Sequence, residues 1–442
     1  MTFTEPVPAT NSELGSRDGR FRVSLAWVRA IPHGPRLTLA IILVAALTVR
    51  AIWLTFPAGT LIFDEAYYVN AARTLLGWVV PAGANYAGAP LGLDPNTEHP
   101  PLGKILIAGS MLVFGDNGIG WRLPSLIAGM IALVALYRIV RGGGESQWLG
   151  VLAVGLFAFD NLALVHSRIG TLDMLVLAPM LVGAWAGIRG RWGTAGALMG
   201  LATLVKLTAL YGLLALLLAQ AVMLAGALRE RRRIALVELR QTVLILAGYL
   251  LVSGGGLTVL DSAFTSYTNP IDHVGHMLDY GAGLTKQGGP PTSCVSNDSA
   301  PWQWLVNDCQ INYLRVAVDV KAGDKLISSN ATVDFRGALN PVLLGAMWLA
   351  VPFAGWLAWR KRNRLAGWSL LWMAANYLPY IPLALLGNRV TYLYYMLPVV
   401  PALGVAVALL LMRSGLPRFV TWSYVAAYVV GFAALFPFRQ LI

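Results

Sequence analysis

The sequence has few charged residues for its length. Of its 442 residues, only 12% are Asp, Glu, Lys or Arg, whereas 57% are hydrophobic. A soluble protein usually has about a quarter of its residues charged. So small a polar fraction cannot cover the surface of a water-soluble globule. The composition therefore excludes that class and predicts a membrane protein with several spans.

Cysteine is almost absent as well. The two cysteines, Cys294 and Cys309, lie in one polar stretch, and they can pair if that stretch is outside the cytoplasm. Their spacing alone does not decide whether they form a disulfide bond.

The net charge of +12 is not gathered on one basic face. Lys and Arg stand in short segments between apolar runs, as in 229–240 and 360–364. This arrangement is typical of the cytoplasmic loops of membrane proteins. We therefore interpret the charge as a signal of topology and expect no nucleic-acid partner.

Long apolar runs define the predicted spans. A helix needs about 20 residues to cross about 30 Å of hydrocarbon, and this length predicts an all-α polytopic fold with about eleven transmembrane helices. The predicted spans are 36–56, 121–141, 148–167, 171–189, 192–205, 207–227, 242–260, 341–359, 366–386, 391–412 and 419–436.

The segment 99–115 is apolar but short. If it crossed the membrane, Arg138 and Arg141 would lie outside; if it lies at the interface, both become cytoplasmic together with Arg189. The positive-inside rule favours the interfacial placement. This choice places the N-terminus in the cytoplasm and the C-terminus outside the plasma membrane.

The sequence divides into four predicted parts. We expect a disordered cytoplasmic tail over 1–35, a membrane module over 36–260, an external loop over 261–340 and C-terminal transmembrane helices over 341–442. The membrane module includes a first external loop, 57–120, with a surface helix. The loop 261–340 is polar and too long for a turn, so we expect it to be structured and functional.

Ionisable residues gather at the predicted outer face. Such residues near or within spans cost a few kcal/mol each, so their presence at one membrane level predicts a site. For any single Lys or Arg, a snorkelling side chain is the alternative interpretation. The candidates are Asp64, Glu65, Glu98, His99, Lys104, Arg122, Arg168, Asp173, Lys206, His276 and Arg389.

These residue types suit a lipid-linked substrate. Cations at a membrane surface bind an anionic head group such as a phosphate, whose apolar tail lies in the bilayer. A neighbouring carboxylate can act as general base toward a hydroxyl. Sugar transfer from a polyprenyl-phosphate donor to a hydroxyl meets these requirements. Two alternatives stay open: a transferase acting on a lipid or cell-wall glycan, and a transporter or flippase of a lipid-linked anion.

Six motifs resemble the protein O-mannosyltransferase family in content and order, over nearly all of the membrane part. They are FDEAYY at 63–68, HPPLGK at 99–104, GWRLPS at 120–125, SRIGTLD at 167–173, VKLTALY at 205–211 and YLYYMLPVVP at 392–401. The eukaryotic members carry a large lectin-like insertion in the external loop, whereas the loop 261–340 is short. The chain therefore resembles a bacterial form.

The resemblance implies the GT-C fold and an inverting transfer of mannose from dolichyl or polyprenyl phosphate. It implies that Asp64 is the catalytic base, that Glu65 belongs to the same acidic motif and that Arg122 is needed at the site. Tyr394, in the last motif, joins the predicted substrate-binding set of His99, Lys104, Arg122, Arg168, Asp173, Lys206 and Arg389. The implied acceptor is Ser or Thr of exported proteins.

Three further interpretations follow from the residues themselves. Adjacent residues on a helix point about 100° apart, so Asp64 and Glu65 cannot face one substrate atom equally. Glu98 and His276 are candidates for a divalent metal ion, although no dense ligand motif is present and no cofactor is certain. The SAPWQW segment predicts that Trp302 and Trp304 form either an interfacial anchor or a sugar-stacking element.

Overall fold

The computed structural model describes residues 34–229, 234–286, 294, 297–322 and 325–439. The predicted tail over 1–35 lies outside the described residues up to residue 33. Helices account for most of the described chain, which confirms the predicted fold class, and a single β-hairpin adds to them.

The helices of the first half are α1 Gly34–Ala51, α2 Glu65–Leu75, α3 Leu102–Phe114, α4 Gly118–Gly142, α5 Gln147–Ala158, α6 Asn161–His166, α7 Leu172–Ile188, α8 Trp192–Thr203, α9 Ala209–Arg229 and α10 Ile234–Phe264. Those of the second half are α11 Pro270–Gly283, α12 Pro301–Trp304, α13 Pro341–Arg360, α14 Arg364–Tyr377, α15 Tyr380–Leu385, α16 Val400–Arg413 and α17 Arg418–Leu435. A 3-10 turn, Leu393–Met396, precedes α16.

Among the described residues, 6 helices are long and apolar enough to cross a membrane: Gly34–Ala51, Gly118–Gly142, Ala209–Arg229, Ala235–Phe264, Pro341–Arg360 and Arg418–Leu435. Four shorter apolar helices are Leu102–Phe114, Gln147–Ala158, Leu172–Ile188 and Val400–Arg413. The chain is thus a multi-pass membrane protein. The count of about eleven spans stays a prediction.

Two predicted spans are divided into shorter α-helices, and in a third, 391–412, the 3-10 turn Leu393–Met396 precedes an α-helix that starts only at Val400. The run 148–167 breaks between α5 and α6, where the buried Asp160 accepts hydrogen bonds from Leu162 N at 3.0 Å and Asn340 N at 2.8 Å. The run 366–386 breaks between α14 and α15 at Pro379, because proline restricts the helical backbone before it and cannot donate a hydrogen bond. Apolar length alone does not reveal such breaks.

Both ends of α3 meet the same end of the bundle. At its start, Leu102 N donates to Leu204 O at 3.2 Å, just after α8. Beyond its end, Gly118 packs so closely against the chain after α1 that an added Cβ would lie 2.7 Å from Cα of Thr55. This arrangement suits a helix that lies along an interface.

The opposite end of the bundle is marked by Glu145, in the loop between α4 and α5. Its carboxylate pairs with Arg413 at the end of α16, at 2.6 Å, and accepts a hydrogen bond from Asn363, before α14, at 2.7 Å. These segments are the ones that the positive-inside rule assigns to the cytoplasm. They therefore share one end of the bundle, as that prediction requires.

Within the predicted loop 261–340, the described residues include the end of α10, the helices α11 and α12, and a hairpin that the helix prediction missed. Strand β1, Ile311–Ala322, pairs antiparallel with β2, Lys325–Gly337. Cys294 and Cys309 form a disulfide bond just before β1. The base of the hairpin is anchored on α6, because Asn161 donates to Arg336 O at 2.7 Å.

Candidate active site

A cleft of about 750 Å³ opens at the end of the bundle where α1 leads into α2. Half of the predicted site residues line it: Asp64, Glu98, His99, Lys206, Arg389 and Tyr394. The other half, namely Glu65, Lys104, Arg122, Arg168, Asp173 and His276, lie behind its wall or beside it. The predicted residues that line the cleft thus come from α2, the loop before α3, the turn after α8 and the segment before α16.

Asp64 presents a free carboxylate to the cleft. It occupies the N-cap position of α2, yet its side chain makes no capping hydrogen bond. Among the described residues, the side chain has no hydrogen-bond partner, and it is half-buried. Burial raises its pKa to about 7, while the charge of Lys206 opposes the rise and that of Asp173 adds to it.

Phe63 turns the chain into the cleft just before Asp64. Its φ is 55°, a left-handed value that is unusual for a bulky residue. Its ring is held by Tyr313 and Tyr394, with centroids 4.5 and 5.8 Å away. Such strain costs about 1–3 kcal/mol and persists only where packing imposes it. The packing of Phe63 therefore sets the direction of the neighbouring carboxylate.

Glu65 faces away from the cleft and is fully buried. Its two oxygens accept from Nε and Nη2 of Arg122, at 2.8 and 2.9 Å. They also accept from the backbone N–H groups of Ile62 and Gly170, each at 2.7 Å. Arg122 further donates to Leu54 O at 2.8 Å. The pair therefore connects α2 to α4 and to the chain after α1, and a catalytic role for Glu65 stays a prediction.

Lys104 supports the loop that carries His99. The Lys104 ammonium is fully buried, pairs with Asp94 at 2.6 Å and donates to His99 O at 2.7 Å and to the backbone oxygen of Asn96. Burial also lowers the pKa of His99 well below its usual value, with Lys206 adding to the effect. Lys104 thus holds the cleft wall from behind.

Arg168 is bound to the C-terminal end of α1. It donates to Ile52 O at 2.6 Å and to Val49 O, and its guanidinium lies 4.7 Å from the ring centroid of Phe438. These carbonyls are the ones that a helix end leaves without intrahelical partners. The side chain is buried and does not reach the cleft.

Lys206 brings a positive charge to the cleft from the turn between α8 and α9. Its ammonium lies 2.8 Å from Oδ1 of Asp173 and 5.4 Å from the ring centroid of Tyr394. Asp173, in the first turn of α7, therefore does not line the cleft but orients the cation that does.

Arg389 supplies a second cation from the segment after α15. Among the described residues, its side chain has no carboxylate within ion-pair distance. Its Nη1 would lie 3.2 Å from a Cβ added at Gly281, so α11 passes close to the guanidinium. His273 anchors α11 here, because its Nδ1 lies 2.7 Å from Asp261 Oδ1 and its Nε2 lies 2.9 Å from Thr97 O.

The proposed metal ligands already have protein partners. Glu98 accepts from Asn96 at 2.7 Å, and Nε2 of His276 lies 3.2 Å from Oγ1 of Thr97. Within the described part of the chain, the three-residue group close enough to hold an ion is Cys294, Asp308 and Cys309, whose cysteines are joined in a disulfide. The residues do not form a ready metal site around Glu98, and no cofactor is established.

Tyrosines dominate the rest of the lining, which the sequence interpretation missed. They are Tyr67, Tyr68, Tyr86, Tyr211, Tyr280, Tyr380, Tyr392 and Tyr395. The tyrosines of the motifs FDEAYY and YLYY were the sequence signal that could have predicted this lining. Trp304, by contrast, is fully buried with Nε1 2.8 Å from Ser299 Oγ, and neither it nor the exposed Trp302 lines the cleft. The geometry does not place either tryptophan where it could stack on a sugar in this cleft.

Comparison with known proteins agrees with these motifs. A family model described as dolichyl-phosphate-mannose-protein mannosyltransferase matches residues 98–253. The polyprenol-phosphate-mannose–protein mannosyltransferase of Corynebacterium glutamicum is 27% identical over 82% of this chain and 80% of its own length. The protein of the same name from Mycolicibacterium smegmatis is 28% identical over 92% of this chain and 89% of its own length.

Two solved structures share the fold. The Saccharomyces cerevisiae protein O-mannosyltransferase Pmt1–Pmt2 complex, bound to the sugar donor, matches with a TM-score of 0.67 and 12% identity, covering 94% of this chain and 91% of that chain. ArnT from Cupriavidus metallidurans, bound to undecaprenyl phosphate, matches with a TM-score of 0.52 and 18% identity, covering 92% and 64%.

Proposed function

Because this chain is a membrane glycosyltransferase of the GT-C fold and a relative of the protein O-mannosyltransferases, we propose that it mannosylates exported proteins. The donor is a polyprenyl-phosphate mannose, and the acceptor is a Ser or Thr hydroxyl. The observation that carries the proposal is the free carboxylate of Asp64, which faces two cations, Lys206 and Arg389, across one cleft.

Asp64 acts as the general base. Its carboxylate removes the proton of the acceptor hydroxyl as the oxygen attacks C1 of the sugar. A pKa of about 7 suits this task, because a base near the working pH is both ionised and able to take the proton. Attack from the side opposite the phosphate inverts the configuration at C1.

Lys206 and Arg389 bind the phosphate. As the bond between C1 and the phosphate oxygen breaks, the electron pair stays on the phosphate, whose negative charge grows. Fixed cations stabilise this charge more in the transition state than in the bound donor. Lys206 keeps its orientation through Asp173, whereas Arg389 has its charge available to the substrate.

The lipid part of the donor has a place beside the cleft. An apolar groove of about 590 Å³ is lined by Tyr211, Pro379, Pro382, Leu383, Leu386 and Gly387. Tyr211, Leu383 and Gly387 also line the cleft, so the two spaces adjoin close to Arg389. A phosphate in the cleft can thus keep its hydrocarbon chain in an apolar surrounding.

The reaction takes place at the outer membrane face. The cleft lies at the bundle end opposite Glu145, Arg413 and Asn363, which the charge pattern assigns to the cytoplasm. In the same proposal, α3 lies along the membrane interface and does not cross the bilayer. An external cleft receives exported proteins as they emerge on that side.

Membranes supplied with radiolabelled polyprenyl-phosphate mannose test the proposal. We expect wild type to label protein, and Asp64→Asn to lose about 100-fold or more of the transfer, the size of a general-base contribution. Asp272→Asn, an exposed acid on α11, is the matched control and keeps the wild-type rate.

Three outcomes contradict parts of the proposal. Equal transfer by wild type and Asp64→Asn removes Asp64 as the base. Label that appears in lipid or glycan fractions instead of protein identifies a different acceptor. If wild type transfers nothing from polyprenyl-phosphate mannose but transfers the sugar of another polyprenyl phosphate, the donor sugar is not mannose.

A further inference from the structure

Tyr313 connects the external hairpin to the wall of the cleft. Its side chain is buried at the base of β1, and its hydroxyl lies 2.8 Å from Nε2 of His166. Its ring packs on Phe63, with 4.5 Å between centroids. Tyr313 does not line the cleft. It nevertheless contacts both the residue before Asp64 and a buried histidine.

His166 continues this connection to Asp173. Its Nδ1 lies 3.6 Å from Oδ2 of Asp173 and 3.3 Å from Oγ1 of Thr171. The other oxygen of Asp173 accepts from Lys206 at 2.8 Å. Four neighbouring side chains therefore lead from the hairpin to the ammonium group in the cleft, with an electrostatic contact instead of a hydrogen bond between His166 and Asp173.

The charge of Asp173 favours the tautomer of His166 that carries its proton on Nδ1. In a neutral imidazole, one nitrogen donates and the other accepts. A lone pair on Nδ1 would face the carboxylate, whereas a proton there is attracted to it. Nε2 is then the acceptor, so the Tyr313 hydroxyl donates. Burial raises the pKa of Tyr313 well above its usual value, with Asp173 adding to the rise, so the phenol keeps the proton that it donates.

We propose that Tyr313 and His166 are positioning residues, which hold the Asp173–Lys206 pair in the orientation that binds the donor phosphate. The inference rests on the role of Lys206 in the proposed function. Misplacing a binding group by about 1 Å can cost a large factor in rate. Because the phosphate gains charge in the transition state, a displaced ammonium slows sugar transfer even when the acceptor binds normally.

Gly337 leaves the space that the Tyr313 hydroxyl occupies. A Cβ added at Gly337 would lie 2.6 Å from this oxygen, closer than real contacts allow. Gly337 pairs across the hairpin with Ile311, two residues before Tyr313 in the chain. Gly337→Ala is therefore a second way to displace the hydroxyl, in a chain that keeps the tyrosine at position 313.

A double-mutant cycle tests the connection. We expect Tyr313→Phe to lower kcat/KM for the donor about tenfold and to leave the KM for the acceptor unchanged. Gly337→Ala should have the same effect. If the hydroxyl acts through Lys206, Tyr313→Phe combined with Lys206→Met loses no more activity than Lys206→Met alone. His166→Asn, which can keep a donor toward Asp173, should retain more activity than His166→Leu.

Tyr428→Phe is the matched control. Tyr428 is a buried tyrosine of α17 whose hydroxyl donates to Leu156 O, away from the cleft, so its loss should leave the donor kinetics unchanged. Additive losses in the double variant overturn the inference. So does a Tyr313→Phe enzyme whose donor kinetics match those of Tyr428→Phe.

Binding of polyprenyl phosphate to the same purified variants separates this inference from the proposed function. If wild type transfers no mannose but binds polyprenyl phosphate, the transfer proposal fails. The double-mutant cycle of Tyr313 and Lys206, measured on the affinity for polyprenyl phosphate, then still tests whether Tyr313 acts through Lys206. If wild type neither transfers nor binds, Lys206 is not a phosphate ligand and both proposals fail.

Discussion

The carboxylates of Asp64 and Glu65 are adjacent in the chain but lie in different surroundings. Glu65 is fully buried, and Arg122 pairs with it at 2.8 Å. Asp64 faces the cleft without a hydrogen-bond partner among the described residues. The two acids take successive positions at the start of α2, which point about 100° apart. One acid is thus available for chemistry, while the other stabilises the structure around it.

Exchanging each acid for its amide should separate the two roles. Glu65→Gln leaves Arg122 buried without a counter-charge, which costs about 3–5 kcal/mol. We expect a lower Tm for this variant in detergent, whereas Asp64→Asn keeps the wild-type fold and loses transfer. Thermal unfolding and donor turnover measured on both variants test this. Equal Tm values for Glu65→Gln and wild type would contradict the structural role of the pair.

The rate of transfer should rise with pH through about 7. The base works only when it is ionised, and burial raises the pKa of Asp64 to about 7. We therefore expect kcat/KM to increase about tenfold per pH unit below that value and to level off above it. A flat profile between pH 5 and pH 8 would argue against Asp64 as the base.

The same pKa predicts how stability depends on pH. A carboxyl whose pKa is raised in the folded state binds its proton more tightly there than in the unfolded chain. The free energy of unfolding therefore falls as pH rises from the unfolded pKa to about 7. Asp64→Asn removes this effect, so its Tm advantage over wild type should grow over that range. A difference in Tm that does not change with pH would contradict a raised pKa of Asp64 in the folded state.

The approach of α11 to Arg389 predicts a sensitive glycine. A Cβ at Gly281 would lie 3.2 Å from Nη1 of Arg389, whereas one at Gly283 meets nothing within 4 Å. Gly281→Ala should raise the KM for the donor several-fold, and Gly283→Ala should not. Both gain the same helix propensity, so a shared change in KM would exclude a local effect on Arg389.

Two serines test the membrane topology. Ser146 precedes α5 at the Glu145 end of the bundle, and Ser266 lies between α10 and α11 at the cleft end; both are exposed. In intact cells, we expect a membrane-impermeant maleimide to label Ser266→Cys and to leave Ser146→Cys unlabelled until the cells are opened. The reverse pattern would place the cleft in the cytoplasm, as expected if α3 crossed the membrane, and would refute its interfacial position. Labelling of both would contradict their placement at opposite ends of the bundle.

The sequence predicted most of the helices, and half of the site residues that it predicted line the cleft. Apolar runs determine helix positions because the bilayer requires internally bonded backbone along each crossing segment. The same pattern missed the hairpin, since its two strands alternate polar and apolar residues and contain no long apolar run. It also missed the breaks at Asp160 and Pro379, which depend on one hydrogen-bonding side chain and one proline.

By itself, the sequence determined the membrane class, the two acids of the FDE motif and the types of cation that accompany them. Only the tertiary structure decided which of those charges face a substrate. Lys104, Arg122 and Arg168 are buried against carboxylates or backbone oxygens, which for Arg122 and Arg168 lie far away in the chain. Lys206 and Arg389, by contrast, reach the cleft. A buried charge must be paired where the fold brings its partner, and residue type does not reveal that partner.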